Sequence, residues 1–418
     1  MDPSGSGGSS SSSIGISIFN TLSLFAWRMT TLVLGLGTVV ATILYFKQDS
    51  MLYFPEIGGI PRRPAQNPRR YRSPAEHQIP FESHRIECDD GVFIHSWLLL
   101  RETQTASRSN KNTLPTLVFF HGNAGNIGLR LPNALQMLQY LNANILMVEY
   151  RGYGDSDSVP PNEAGLKLDA VAALRFISSH PKIDPTKIFL FGRSLGGAVA
   201  FSLAQYAEQK GFPLAGVVVE NTFLSISAMV DHLMPYVAPL KTLVLRIDWN
   251  SEKIVPTLTM PIFYLAGGQD QLVPHSHMVQ LYKRTKQSRL VRMHVVPDGT
   301  HNETWMQGGQ DYWDAFASFL QQAMLVMSSS SSSSSSSNVS CLASPAIDLS
   351  SSKIRTKDDP TTGTGGSSTI SSTSASSSSI PMMPTRILGI ARESIRDSNA
   401  ASSTSTTPTP TPGKQKDM

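Results

Sequence analysis

The spacing of apolar and polar positions changes repeatedly along this chain, and each change marks an element. Positions 29–46 carry no charge, and these 18 residues make about 27 Å of helix at about 1.5 Å per residue. The apolar bias reaches back through 14–27, broken by Arg28, whose long side chain can snorkel. Trp27 at one end, with Tyr45 and Phe46 at the other, suits an aromatic belt. The pattern predicts a membrane anchor over 14–47 with its core at 29–46. A cleaved signal peptide fits poorly, because no small-x-small site follows the core and no basic cluster precedes it. A buried core helix would be shorter.

From residue 80 the spacing alternates between strand-like and helix-like. Segments 85–88 and 92–100 flank Asp89-Asp90-Gly91, which reads as a hairpin turn at an antiparallel sheet edge. Residues 102–112 are polar and read as a loop. Short apolar runs at 116–120, 145–150, 187–191, 215–219, 262–266 and 292–296 predict buried strands. Stretches at 128–141, 162–179, 197–204, 276–283 and 311–325 predict helices. This alternation predicts an α/β fold whose mostly parallel central sheet is covered on both faces. Ligands in such sheets bind at the carboxyl ends of the strands.

Composition narrows the domain count. A chain of 418 residues permits two or three domains, but residues 1–13 and the Ser/Thr/Pro-rich stretch 328–418 lack the apolar content to fold and read as disordered. Two short apolar stretches in that tail, 380–383 and 386–390, could dock as a short helix or strand, but solvated linker is the favoured reading. What remains is a juxtamembrane linker at 48–79 and one domain at 80–327, with a cap region at about 222–255 that is apolar at intervals. Those apolar positions suit either packing over the helix layer or a wall for an acyl chain. The net charge of +4 comes without one long basic run, which excludes a nucleic-acid footprint. Cys88 and Cys341 offer neither metal-ligand spacing nor a disulfide framework, and no cofactor or metal is expected.

Membrane sidedness stays open. Lys47, Arg62, Arg63, Arg69, Arg70 and Arg72 follow the span against Arg28 before it, which favours a cytosolic domain. Most of them, however, lie beyond the roughly 15-residue zone where that rule is strong. Asn302-Glu303-Thr304 and Asn338-Val339-Ser340 are glycosylation sequons, relevant only on the lumenal side.

The candidate chemistry falls at strand ends. Gly192-Arg193-Ser194-Leu195-Gly196 sits between the apolar run 187–191 and the small-residue stretch 197–204. G-x-S-x-G between a strand and a helix is a nucleophile elbow, a tight turn that lifts the serine hydroxyl clear of the sheet. A serine nucleophile needs a base, an orienting acid and donors for the oxyanion. His301 lies in the loop after the last predicted strand and is the best-placed base among the histidines. Two carboxylates compete for the third role: Asp270, after the Gly267-Gly268 turn, and Glu220, at the end of strand 215–219. The freedom of the glycine turn favours Asp270. His121-Gly122-Asn123-Ala124-Gly125-Asn126 follows strand 116–120, and the backbone N–H groups of Leu195 and Asn123 are the expected oxyanion donors. In Tyr150-Arg151-Gly152-Tyr153-Gly154-Asp155-Ser156 the tyrosines and the carboxylate are expected to tie down the neighbouring loop.

With these motifs in place, residues 85–325 resemble the α/β-hydrolase superfamily. The set H-G-N-A-G-N, Y-R-G-Y-G-D-S, G-R-S-L-G-G, G-G-x-D and G-T-H-N behind a membrane anchor is similar to the group holding α/β-hydrolase domain-containing protein 13 and the fungal bud-emergence proteins. The resemblance covers the anchor and the domain but not the Ser-rich tail. It implies a single-pass membrane serine hydrolase, with Ser194, Asp270 and His301 as triad, acting on lipid esters or acyl thioesters. It also implies an endomembrane such as the endoplasmic reticulum, with the domain in the lumen, in conflict with the basic flank. The expected partners are the bilayer and a lipid-like acyl substrate, with no nucleic acid. A serine peptidase of the same fold and an inactive membrane scaffold are the alternatives; neither a propeller nor a large cap selects peptides.

Overall fold

The computed structural model describes residues 10–101 and 114–334. The expected loop at 102–112 lies outside the described residues, as do the tail beyond 334, its two apolar stretches, Cys341 and the Asn338 sequon. One eight-stranded sheet organises the domain. Its strands are β1 (Phe81–Glu87), β2 (Phe93–Leu99), β3 (Thr116–Phe120), β4 (Asn144–Glu149), β5 (Ile188–Arg193), β6 (Gly216–Glu220), β7 (Ile262–Gly267) and β8 (Val291–Val296). Their spatial order is β1-β2-β4-β3-β5-β6-β7-β8. Antiparallel pairing joins β1 to β2 and β2 to β4, and the other neighbours are parallel.

Ten helices accompany the sheet among the described residues: α1 (Ser10–Leu52), α2 (Leu131–Leu141), α3 (Glu163–Ser179), α4 (Leu195–Lys210), α5 (Ile226–Leu233), α6 (Lys241–Val244), α7 (Ser251–Ile254), α8 (His275–Arg284), α9 (Thr304–Gln307) and α10 (Gly309–Ser334). The central strands are apolar at nearly every position because both faces are covered. Val118, Phe120, Leu190 and Val219 pack with α3, α4 and α8. The alternate residues Leu117, Phe119, Phe191 and Val218 pack with α2 and α10. Helix starts follow local chemistry: the Asn162 side chain accepts from Gly165 N and opens α3. Residues between β6 and β7, including α5, α6 and α7, form the cap.

Helix α1 is long and apolar enough to cross a membrane; its best stretch reaches a mean hydropathy of 1.9. Three expected boundaries shift. The helix starts at Ser10, inside the stretch expected to be disordered at 1–13, and runs past 47 to Leu52. Residues 48–79 are not a free linker. Tyr53 and Asn67 are buried, and the Asn67 side chain bonds that of Asn126. Helix α10 continues through Ser334, past the expected domain end at 327, because serine is only a mildly unfavourable helix residue.

Candidate active site

Ser194 stands at the turn between β5 and α4 with φ 54° and ψ −121°, a conformation non-glycine residues rarely adopt. Such strain costs on the order of 1–3 kcal/mol and persists only where the surroundings enforce it. Here the enforcement is steric. A Cβ on Gly192 would lie 2.1 Å from Gly196 O, and one on Gly196 would lie 2.0 Å from Phe120 O. Only glycine lets the elbow close against β3 and its own helix.

On the far side of β6 the imidazole is held by a carboxylate. Asp270 Oδ2 lies 2.7 Å from His301 Nδ1, and both side chains are almost fully buried. Asp270 Oδ1 accepts from Leu272 N and Val273 N, each at 2.9 Å, so the carboxylate cannot rotate away. With a carboxylate as acceptor, Nδ1 carries the proton and Nε2 keeps its lone pair. Glu220, the competing acid, is committed elsewhere: Oε1 accepts from Arg193 Nε at 2.8 Å and Oε2 from Tyr312 Oη at 2.6 Å. It is Asp270 and not Glu220 that meets His301.

No hydrogen bond joins Ser194 Oγ to the ring among the described residues. What unites the two loops is the end of β6. Ser194 N donates to Glu220 O at 2.9 Å, and Thr222 Oγ1 donates to Ser194 O at 2.8 Å. Between them Asn221, buried and at φ 49°, donates through Nδ2 to His301 O (3.0 Å), Thr300 O (3.2 Å) and Thr304 Oγ1 (2.9 Å). Its Oδ1 accepts from Gly267 N at 2.8 Å, at the start of the Asp270 loop. Asn221 therefore ties the Asp270 and His301 loops together, and its two neighbours hold the elbow. Nothing in the motif reading singled it out; the available signal was a polar triplet, Glu220-Asn221-Thr222, directly after an apolar strand.

The loop after β3 lies against the elbow, since a Cβ on Gly122 would sit 3.7 Å from Ser194 Cβ. The amides of Asn123 and Leu195 have no acceptor among the described residues, and Leu195 N belongs to the first turn of α4, where amides are left open. Asn123 O accepts from Tyr153 Oη at 2.7 Å and from Phe54 N at 2.9 Å, and Tyr150 Oη donates to His121 O at 3.0 Å. The two tyrosines thus tie down this loop as expected. The carboxylate of that motif does not: Asp155 is exposed, and its one ion pair among the described residues is with Arg63 at 3.9 Å.

Beneath the loop lies a buried acid–base pair. His121 Nδ1 donates to Gly122 O at 2.7 Å, leaving Nε2 as an acceptor 3.4 Å from Glu149 Oε1. Burial pushes the Glu149 carboxyl up to about 8. Burial, helped by Arg130, holds His121 down at about 3. At neutral pH both are uncharged, and the protonated carboxyl faces the free ring nitrogen.

The chain as a whole is similar to known proteins. A family profile described as alpha/beta hydrolase fold matches residues 115–241. Protein bem46 of Schizosaccharomyces pombe is 32% identical over 286 residues, covering 68% of this chain and 90% of the relative. The alpha/beta hydrolase domain-containing protein WAV2 of Arabidopsis thaliana is 32% identical over 309 residues, covering 70% and 95%. An uncharacterized membrane protein of Saccharomyces cerevisiae is 31% identical, covering 70% and 97%. Among solved structures, an alpha-beta hydrolase from Vibrio vulnificus superposes with TM-score 0.50 at 20% identity, covering 68% of this chain and 93% of that one. The Pyrococcus furiosus esterase Pf2001 gives TM-score 0.50 at 18% identity, covering 63% and 97%.

Proposed function

Because the chain belongs to the α/β-hydrolase family and is a hydrolase, we propose that Ser194 is its nucleophile and that it cleaves acyl esters or thioesters at a membrane. The observation that carries this reading is the Asp270–His301 contact at 2.7 Å, with Nε2 left free on a loop that Asn221 bonds to the end of β6, where Glu220 and Thr222 hold the elbow. In the proposed reaction His301 Nε2 takes the Ser194 proton as Oγ attacks the acyl carbon. The Leu195 and Asn123 amides donate to the oxyanion as charge develops. The imidazolium returns its proton to the leaving group, and water then releases the acyl-serine by the same steps in reverse roles. Asp270 keeps the ring in one tautomer and stabilises its charged form.

The anchoring half of the proposal rests on α1, whose apolar side chains from Phe19 to Phe46 stand exposed on a helix of spanning length. An anchored hydrolase meets acyl groups presented by lipids, which favours lipid-like esters over peptides. The test is labelling by a fluorophosphonate probe. Wild type is expected to label, and Ser194→Ala and His301→Ala are expected to lose labelling together with ester turnover, by about 10⁴-fold or more. Labelling that survives in Ser194→Ala overturns the assignment. A panel of acyl esters against peptide amides then separates esterase from peptidase.

A further inference from the structure

Below its apolar stretch, α1 does not let go of the domain. Gln48, buried on a helix that is mostly exposed, donates to Val244 O at 3.1 Å and accepts from Arg246 N at 2.8 Å and Ile247 N at 2.9 Å. Asp49 pairs with Arg246, and Tyr53 Oη accepts from Trp249 Nε1 at 2.8 Å in a buried contact. All these partners belong to the cap. The chain leaving the helix then pairs with the oxyanion loop: Phe54 N donates to Asn123 O, Gly125 N donates to Phe54 O, and Asn123 Nδ2 donates to Leu52 O. The end of the span thus holds both the cap and the loop beside Ser194.

The cap is apolar on two faces. Phe223, Leu224 and Met229 point into the core. On the outside, Tyr236 is 96% exposed, Leu243 78%, Leu233 52% and Leu240 39%. Isolated exposed apolar residues are ordinary, but four of them on one short segment bonded to a helix of spanning length need a partner. Helix α1, which packs against α6 and bonds residues 244–249 of this segment, supplies its identity, because a side chain next to the exit of a span lies at the level of the bilayer surface.

We propose that the outer face of the cap, through Leu233, Tyr236, Leu240 and Leu243, dips into the leaflet that α1 leaves, and that the site takes its acyl substrate directly from that leaflet. The proposal rests on the reading of α1 as a membrane span and deepens it. Aliphatic side chains enter the acyl region while the tyrosine hydroxyl stays among the headgroups. The Gln48–Phe54 clasp keeps the cap and the oxyanion loop at the surface, so an acyl ester moves sideways from lipid to Ser194 without crossing water.

The full chain, carrying Cys341→Ser, is labelled with an environment-sensitive fluorophore at Leu243→Cys and reconstituted in palmitoyl-oleoyl phosphatidylcholine vesicles. Cys88 is buried and stays in place. The expected result is blue-shifted emission, quenched by lipids brominated on the upper acyl chain. The same label at Lys210→Cys, about 24 Å from the elbow along α4, is expected to remain water-like. Water-like emission at both sites overturns the proposal. In a second arm, Tyr236→Glu with Leu243→Glu is expected to lower the ratio of methylumbelliferyl oleate to methylumbelliferyl acetate hydrolysis in those vesicles by about tenfold. An unchanged ratio overturns the claim on substrate access. Flotation separates the two readings: wild type that fails to float with vesicles sinks the anchoring itself, whereas floating protein with a water-like cap label sinks only this proposal.

Discussion

At the scale of single residues, the side chain doing the most positioning is Asn221, which spends every donor and acceptor on the loops that carry Asp270 and His301. Asn221→Gly keeps the positive φ and removes all of those bonds. We expect kcat on a soluble ester to fall about 10- to 100-fold, with KM within about twofold, since misplacement by about 1 Å costs that much. An unchanged kcat in folded protein removes Asn221 from the positioning role. Glu149 offers a second test. Its carboxyl titrates near 4.5 when unfolded and near 8 when buried, so between those values the unfolded chain gives up a proton that the folded one keeps. The stability this group contributes is present in full below about pH 4.5 and is lost as pH rises toward 8. Measured by thermal melts, wild type is expected to lose ground to Glu149→Gln steadily across that window; a constant offset contradicts it. The elbow at Ser194 and the meeting of Asp270 with His301 were legible because each of these residues follows the carboxyl end of an apolar run. Asn221 and Glu149 were not, because their partners lie far away along the chain.

At the scale of elements, strand β3 matched its expected bounds and its neighbours came within a few residues, since strands buried on both faces write themselves as unbroken apolar runs. The hairpin and the elbow were equally plain from turn chemistry. Hidden elements are those whose reason is tertiary. Residues 48–79 look polar and linker-like, yet Tyr53 and Phe54 are fastened to residues 249 and 123. The tight meeting of β3, β5 and α4 yields a clear contrast between two glycines. Gly196→Ala drives a Cβ to 2.0 Å from the Phe120 carbonyl and is expected to cost about 4 kcal/mol or more in urea unfolding, or to prevent folding. Gly211→Ala, at φ 73° with open space around it, is expected to cost about 1–2 kcal/mol. Equal costs at the two sites would mean that the elbow is looser than described.

At the scale of the molecule, the domain and helix α1 share one joint, and truncation distinguishes its parts. Removing residues 1–46 takes away the apolar stretch and keeps Gln48, Asp49, Tyr53 and Phe54; removing 1–54 takes the clasp as well. The first protein is expected to be soluble and to hydrolyse short esters. The second is expected to melt about 5 °C lower or more, since losing a buried hydrogen bond and an aromatic side chain costs several kcal/mol. Equal melting temperatures would reduce the clasp to a surface contact. Helix α1 runs unbroken from Ser10 to Leu52, so no break separates its apolar stretch from the residues that bond the domain. With α1 in a bilayer and esters as substrate, as proposed, a hydrolase mounted so stiffly would search in two dimensions, and its throughput would follow how crowded the surrounding film is with ester, not how much ester the vessel holds.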